Sequence, residues 1–522
     1  MKTIRTVISI VLVACVALGV VMSFTGNISD LASYNNSLKT AREQVEKGLY
    51  QKAVSSFETA LQYKEKKDVR NELLNAYKLG VDDGVIGTSS FASAYEAACE
   101  LYPRESLYWE SLIDIYLDSS SYSKAYEYYN NAVKNGAKSD RLTEQGDIIM
   151  YSYNTKSTSY AKFCRTPNGY YTVKNYDFYG IIGPDAEDYA GCAYKYITPA
   201  SSTLSAVFFT QNGKKRLYDS NFVVQNNITT EFSEARAVAN GLVPVKLEDG
   251  TWQYFSCEQD TYVFEKYEDA STFANGIALV KTGGTWHFID TEGKQKGDKT
   301  FDDVKLYDNG EYIYNNVMIA SANGAYHMYD GDGKELNSFA AADMDCYYGS
   351  AIAYKGENGL WGFVGTDGKV VIEPAYKQAK SFSSGLAAVA VEVAEEEATT
   401  AEENTTAEEN TTAEETAVAE NTTVSTEETT AGEAGAETAA ESVTENTTVP
   451  ETTVEQTTAA EETTQVSVQQ NAEKDIKWGF INGSNKLVID AQFCYAGYFS
   501  SSGCALVGNV PDSYYFIALR FV

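Results

Sequence analysis

The chain has 522 residues, and its 73 Asp and Glu against 41 Lys and Arg give a formal net charge of −32. That balance disfavours a nucleic-acid binder, while two His and eight scattered Cys leave little for a zinc cluster, a disulfide framework or a His-based triad. The acidity is local: residues 392–473 hold 22 Glu and no Lys, Arg, Asp or His, leaving only −10 for the other 440 residues.

At the amino terminus, Lys2 and Arg5 precede an uncharged apolar run from Thr6 to Phe24. Its roughly 19 residues approach the length a helix needs to cross a bilayer core. Positive charge on the leading flank predicts that end inside and the bulk of the chain outside. Residues 1–25 are therefore expected to be a single-pass cell-membrane anchor. A cleaved signal peptide is one alternative. The other is a lipoprotein, since Leu12-Val13-Ala14-Cys15 resembles a lipobox with Cys15 as the lipid-bearing residue. The run stays apolar from Val16 to Met22, which favours the uncleaved anchor.

Across residues 30–153 apolar positions recur at helical spacing. Three times an aromatic is followed at +3 by Ala: Tyr50 and Ala53, Phe91 and Ala94, Tyr122 and Ala125. The first continues to Phe57 and Ala60, the third to Tyr129 and Ala132, and Trp109, Leu112 and Tyr116 share one face of the helix before it. Small Ala residues let antiparallel helices approach, and large aromatics fill the groove between pairs. The spacing resembles the tetratricopeptide repeat, although the anchors are 41 and 31 residues apart and Val81–Ser89 reads as an inserted loop. The resemblance implies α-hairpins that hold a peptide partner. A helical stalk packed only against itself is the plainer alternative.

After Tyr153 the pattern changes to alternation and Gly-punctuated runs, which reads as strand. The clearest unit runs from Asn358 through Trp361-Gly362-Phe363, an Asp367-Gly368 turn and Val370-Val371-Ile372 to Phe382-Ser383-Ser384-Gly385-Leu386-Ala387. Asp-Gly supplies the positive φ of a tight hairpin, and Gly362 permits a bulge or a close backbone approach beside Trp361. The unit returns at Trp478-Gly479 with Gly503, and in weaker form at Trp252 with Gly276 and at Trp286. Aligning this aromatic slot gives positions 179, 215, 252, 286, 326, 361 and 478, at intervals of 36, 37, 34, 40, 35 and 117. Without the 82-residue acidic tract the last interval falls to 35.

These units resemble the WG (KWG) β-repeat, on Trp361-Gly362, Trp478-Gly479 and the Phe-Ser-x-Gly-Leu-Ala segment; Trp252, Trp286 and Tyr326 lack the following Gly. The resemblance implies a bacterial surface or secreted protein and attaches no catalytic residue. Units of this length cannot bury an apolar face singly and must stack or close on one another. Asn168–Val173 reads as the last strand of a unit without its beginning, and Tyr514–Ala518 as the first strand of a unit without its remainder. Joined, they would close a β-propeller; an open β-solenoid is the alternative.

The expected organisation is thus multidomain, α and β. It comprises an anchor (1–25), tetratricopeptide-like helices (30–153), and an all-β, propeller-like repeat domain (155–391 and 474–522) interrupted by a disordered acidic insertion (392–473). His287 and His327 occupy one strand slot and are expected to be structural, Asp330-Gly331-Asp332-Gly333 is read as a hairpin turn, and Cys494 and Cys504 could pair in an oxidising compartment. No catalytic, cofactor or metal residue is assigned. The residues singled out are structural: Trp252, Trp286, Trp361, Gly362, Trp478, Gly479, Gly276, Gly385 and Gly503 as repeat signature, and Tyr50, Ala53, Phe57, Trp109, Tyr122 and Ala125 as helix packing. The functional expectation is a membrane-anchored extracytoplasmic binding or scaffold protein, not an enzyme and without a cofactor, whose partner is a protein or cell-wall polymer. An envelope enzyme acting on wall polymers would need paired carboxylates at inward slots, whereas Asp290, Asp330 and Asp367 fall at turns. A purely structural surface spacer is the third possibility.

Overall fold

The computed structural model describes residues 30–392 and 476–522, which belong to one compact unit. The expected anchor at 1–25 and the acidic insertion beyond Glu392 lie outside the described residues. Among the described residues, no helix is long and apolar enough to cross a membrane.

Seven helices come first: α1 (30–46), α2 (Tyr50–Tyr63), α3 (Lys67–Asp82), α4 (Thr88–Leu101), α5 (Ser106–Asp118), α6 (Tyr122–Lys134) and α7 (Asp140–Met150). Ala53 and Ala60 on α2 and Ala125 and Ala132 on α6 are completely buried, so each helix seats its neighbour against bare backbone. Phe57 fills one cluster with Leu73 and Tyr34, and Trp109 another with Leu112 and Ala98. Trp109 also donates Nε1–H to the Pro103 carbonyl at 2.9 Å, tying α5 to the turn that ends α4. Tyr50 and Tyr122 are half-buried.

The strands form eight antiparallel sheets, seven of four strands and one of three, arranged as an eight-bladed β-propeller. In chain order the blades span residues 162–194, 196–228, 242–267, 269–301, 303–329, 343–376, 378–493 and 495–519. The core lies between neighbouring blades: Leu279, Trp286 and Phe301 of blade four pack on Met318 and Tyr329 of blade five. Blade and repeat are out of phase. In every blade but the three-stranded third, a short inner strand and the Gly-Leu-Ala type strand precede the strand of the aromatic slot, so one sequence repeat supplies the outer half of one blade and the inner half of the next.

Closure differs in one respect from the sequence reading. Tyr171–Asn175 is the second strand of blade one, and the strand that completes blade eight is Tyr153–Tyr160, antiparallel to Ser513–Leu519 from Tyr153 opposite Leu519 to Tyr160 opposite Tyr514. Most of that outer strand faces solvent, so its sequence Tyr-Asn-Thr-Lys-Ser-Thr-Ser-Tyr lacks the apolar alternation that marks a strand. With both ends of the ring paired, an open solenoid is excluded. The same strand begins three residues after α7, and the segment following Leu519 returns to the helices: Phe521 stacks on Tyr126 at 4.3 Å and Arg520 lies over the Tyr122 ring at 4.7 Å.

The acidic insertion enters and leaves at one hairpin end. Leu386–Glu392 pairs with Ile476–Asn482 in unbroken register, from Leu386 opposite Asn482 to Glu392 opposite Ile476. Replacing residues 393–475 by Asn-Gly is therefore expected to leave the thermal unfolding midpoint of the ring unchanged, because the two strand ends already face each other across a hairpin gap. A fall of the midpoint in circular dichroism melts would show that the insertion contributes to the fold.

Candidate functional site

The four slot tryptophans lie at or near the start of the strand that pairs with the outer strand of their blades, and each stands opposite a large side chain of that outer strand: Trp252 and Tyr267, Trp286 and Phe301, Trp361 and Tyr376, Trp478 and Phe493. Tyr514 and Tyr160 repeat the pairing in blade eight. Trp252 and Trp286 are buried, and Trp361 and Trp478 half-buried. They lie one to a blade and form no common site. Just past the aromatic the outer strand bulges, spending four residues where its neighbour spends two. Gly362 and Gly479 lie under that bulge: a Cβ would stand 2.6 Å from the Ile372 and Ile489 carbonyl oxygens respectively. In blade three Gln253 holds the position and donates Nε2–H to the Phe264 carbonyl at 2.9 Å. Gly276, Gly385 and Gly503 have φ of 78°, 83° and 69°, in the loop between the first and second strands.

Around the axis the repeats add a motif that sequence reading missed. Arg236 lies 4.1 Å from the Trp252 ring centroid and pairs with Asp269, the first residue of blade four. Lys305 lies 4.6 Å from the Tyr326 ring and pairs with Asp343, the first residue of blade six. A cation from the inner segment of one blade thus covers that blade's slot aromatic and reaches an acid on the next. Lys380 takes the same place in blade seven, 5.6 Å from Trp478, but the residue that begins blade eight is Tyr495, whose ring it meets at 4.0 Å. Among the described residues Lys380 has no carboxylate within ion-pair distance, and burial pushes its ammonium pKa down.

The centre is filled by side chains from several blades. Arg165, 3 % exposed, donates Nε–H to Tyr171 Oη at 3.1 Å and lies over the rings of Tyr348 and Tyr498, which stack on each other at 3.8 Å. Asp345 accepts from the Ser381 amide at 2.7 Å and from Tyr498 Oη. Burial pushes its carboxyl above the ordinary range and the Tyr348 and Tyr498 phenols well above theirs. The loop 305–316 enters this mouth. It is longer than its counterpart 380–385 in blade seven and accounts for the 40-residue interval in the repeat spacing. Its Asp308 accepts the Arg165 amide at 3.2 Å. The axial carboxylates are thus held by the chain's own donors.

The remaining sequence candidates are structural in their surroundings. His287 and His327 stand opposite Val280 and Ala320 at the same strand position, and Asp290, Asp330 and Asp367 each accept backbone amides within their hairpin turns. Among the described residues no cluster has the make-up of a metal site. Cys494 and Cys504 are both free thiols, the first exposed and bonded to the Asn509 carbonyl, the second buried. Burial holds the Cys99 and Cys257 thiols up at about 12, away from thiolate reactivity.

Fold and axis together define a repeat protein: a helical array joined to an eight-bladed propeller in which blades three and five are stapled to the next by cation, aromatic and acid. Residues 259–286, 361–392 and 478–508 match the family model of the WG containing repeat, and the chain is a WG-repeat protein. Among solved structures it is similar to the TPR domain of Sgt2 from Aspergillus fumigatus, at 18 % identity over 22 % of this chain and 76 % of that one, with a TM-score of 0.18 that carries no argument. A search of curated proteins finds no match.

Two consequences can be measured by denaturant unfolding. Gly479→Ala is expected to cost about 1–3 kcal/mol, since its methyl meets backbone that cannot move aside. Arg236→Met is expected to cost about 2 kcal/mol by stranding Asp269, whereas Lys380→Met, which removes an ammonium with no ion-pair partner and only the longer-range attraction of Asp308 and Asp345, should cost less. Equal losses from the two Met variants would mean that the missing acid at Tyr495 has no energetic effect.

Proposed function

We propose that the chain is a membrane-anchored extracytoplasmic binding or scaffold protein that presents two repeat modules as one rigid unit to a protein or a cell-wall polymer. The observation that carries this reading is the junction between the modules. Strand Tyr153–Tyr160 continues from α7 into blade eight, Phe521 and Arg520 pack on α6, and Lys486 of blade seven pairs with Asp147 of α7 at 2.7 Å. Helical repeats and propellers offer broad surfaces built on rigid elements, which suits partner binding more than turnover. The uncharged run Thr6–Phe24 behind Lys2 and Arg5 supports anchoring with the repeats outside, and a lipid at Cys15 would give the same orientation. A non-catalytic role fits an axis whose carboxylates are held by the chain's own donors.

Two experiments test the parts of the proposal separately. Protease added to intact cells is expected to cleave within 393–475; cleavage only after lysis would overturn the outward orientation. For binding, residues 30–522 serve as bait in cross-linked capture against envelope proteins and wall fragments, because a bait beginning at 155 would lack part of the closing strand. Saturable, competable binding above a heat-denatured control is expected, and its absence would favour a spacer that binds nothing.

A further inference from the structure

The loop 305–316 is fastened across three blades. Asn309, fully buried, donates Nδ2–H to the Ala200 carbonyl at 3.1 Å, and its own carbonyl accepts the Ala237 amide at 2.8 Å. The Gly310 carbonyl accepts the Thr272 amide at 2.8 Å. Held in this way, the loop forms one wall of a cleft of about 510 Å³ whose other walls come from blades two, three and four. That volume falls within the range of roughly 300–1,000 Å³ usual for small-molecule sites.

Glu311 lines the cleft and is only 8 % exposed. Its carboxylate accepts the Ser202 amide at 2.7 Å and the Ser202 hydroxyl, which aim it and leave its charge uncompensated. Among the described residues no Lys, Arg or His pairs with it. Arg236, whose stem lies against Gly310, directs its guanidinium to Asp269 and Trp252 instead. Burial accordingly pushes the Glu311 carboxyl above its ordinary range. A carboxylate taken out of water without a counter-charge is costly to keep, and a cation supplied from outside removes that cost. The rest of the lining is neutral: exposed Thr203 and Asn275 offer a hydroxyl and an amide beside half-buried Ile313, whereas Phe273 is buried and the buried Ser201 hydroxyl is already bonded to Thr203 and to the Ser205 amide.

We infer that this cleft binds a small hydroxylated primary amine, its ammonium on Glu311, its hydroxyls on Thr203 and Asn275 and its carbon face on Ile313. The inference does not rest on the partner-binding reading above: titration of a small amine tests the cleft, whereas capture tests that reading. The test uses purified full-length protein with glucosamine as probe, and N-acetylglucosamine and glucose as controls, followed by calorimetry and saturation-transfer NMR. Glucosamine is expected to saturate at one site, with both controls at least about tenfold weaker, the loss that follows from removing a charge-assisted hydrogen bond. Glu311→Gln keeps the shape and an acceptor for Ser202 and should weaken glucosamine by a similar factor. Thr203→Trp, which fills the mouth at an exposed position and leaves Glu311 in place, should abolish binding with unchanged far-ultraviolet circular dichroism. Absence of saturable glucosamine binding, equal affinity for glucose, or undiminished binding by Glu311→Gln would each overturn the inference.

Discussion

The ring depends on the pairing of Tyr153–Tyr160 with Ser513–Leu519. Each blade buries its apolar faces against its neighbours, so a missing outer strand in blade eight would leave an edge of unpaired amides and carbonyls and loosen a seam. Closing so long a loop costs only logarithmically more than closing a short one, and the strand hydrogen bonds are made once for the whole ring. The closing strand is also the link to the helices. Because it follows α7 directly and the residues beyond Leu519 pack on Tyr122 and Tyr126, the interaction that shuts the propeller also fixes the helical array to it.

Within the ring the repeats serve as comparisons for one another. Blades one, six and seven place Gly beneath the bulge of the outer strand because a Cβ there would strike backbone, while blade three meets the same bulge with a Gln that bonds to it. Blades three and five staple themselves to the next blade through a cation, an aromatic ring and an Asp. In blade seven Tyr495 stands where the acid would be, and Lys380 has no ion-pair partner among the described residues, only the longer-range attraction of Asp308 and Asp345. In blade five the departure is an elongated loop, which brings Glu311 to the wall of a cleft shared with blades two, three and four. The places where a copy departs from its siblings are where electrostatic compensation is incomplete, and buried polar groups of that kind mark sites able to bind something.

Much of the architecture was legible beforehand because it is written in periodicity. Tyr50 to Ala60 and Trp109 to Ala132 have the spacing of packed helices, and those Ala residues are fully buried. The aromatic slot at 34–40-residue intervals marks one strand in each of seven blades, and the interval of 40 is the signature of the 305–316 loop. The acidic insertion could be placed within a hairpin because the spacing is continuous without it. The strand 153–160 was not legible, since an exposed outer strand needs no apolar alternation, and the staples were not, since the residues in each belong to different units of the sequence.

The sequence by itself determined where helix gives way to strand, the spacing of the repeats, and the confinement of the excess charge to one insertion. Those properties rest on neighbours along the chain: side chains at helical or alternating spacing, a Gly where φ must be positive, a run of Glu without a cation. Only the tertiary structure decided that the ring closes through residues 153–160, that Arg165 meets Tyr348 and Tyr498, and that Glu311 is buried with its charge unanswered. These are contacts between residues more than a hundred positions apart, or, for Glu311, the lack of a cation in three dimensions. Burial and charge pairing are properties of the space around a residue, and no local pattern records them.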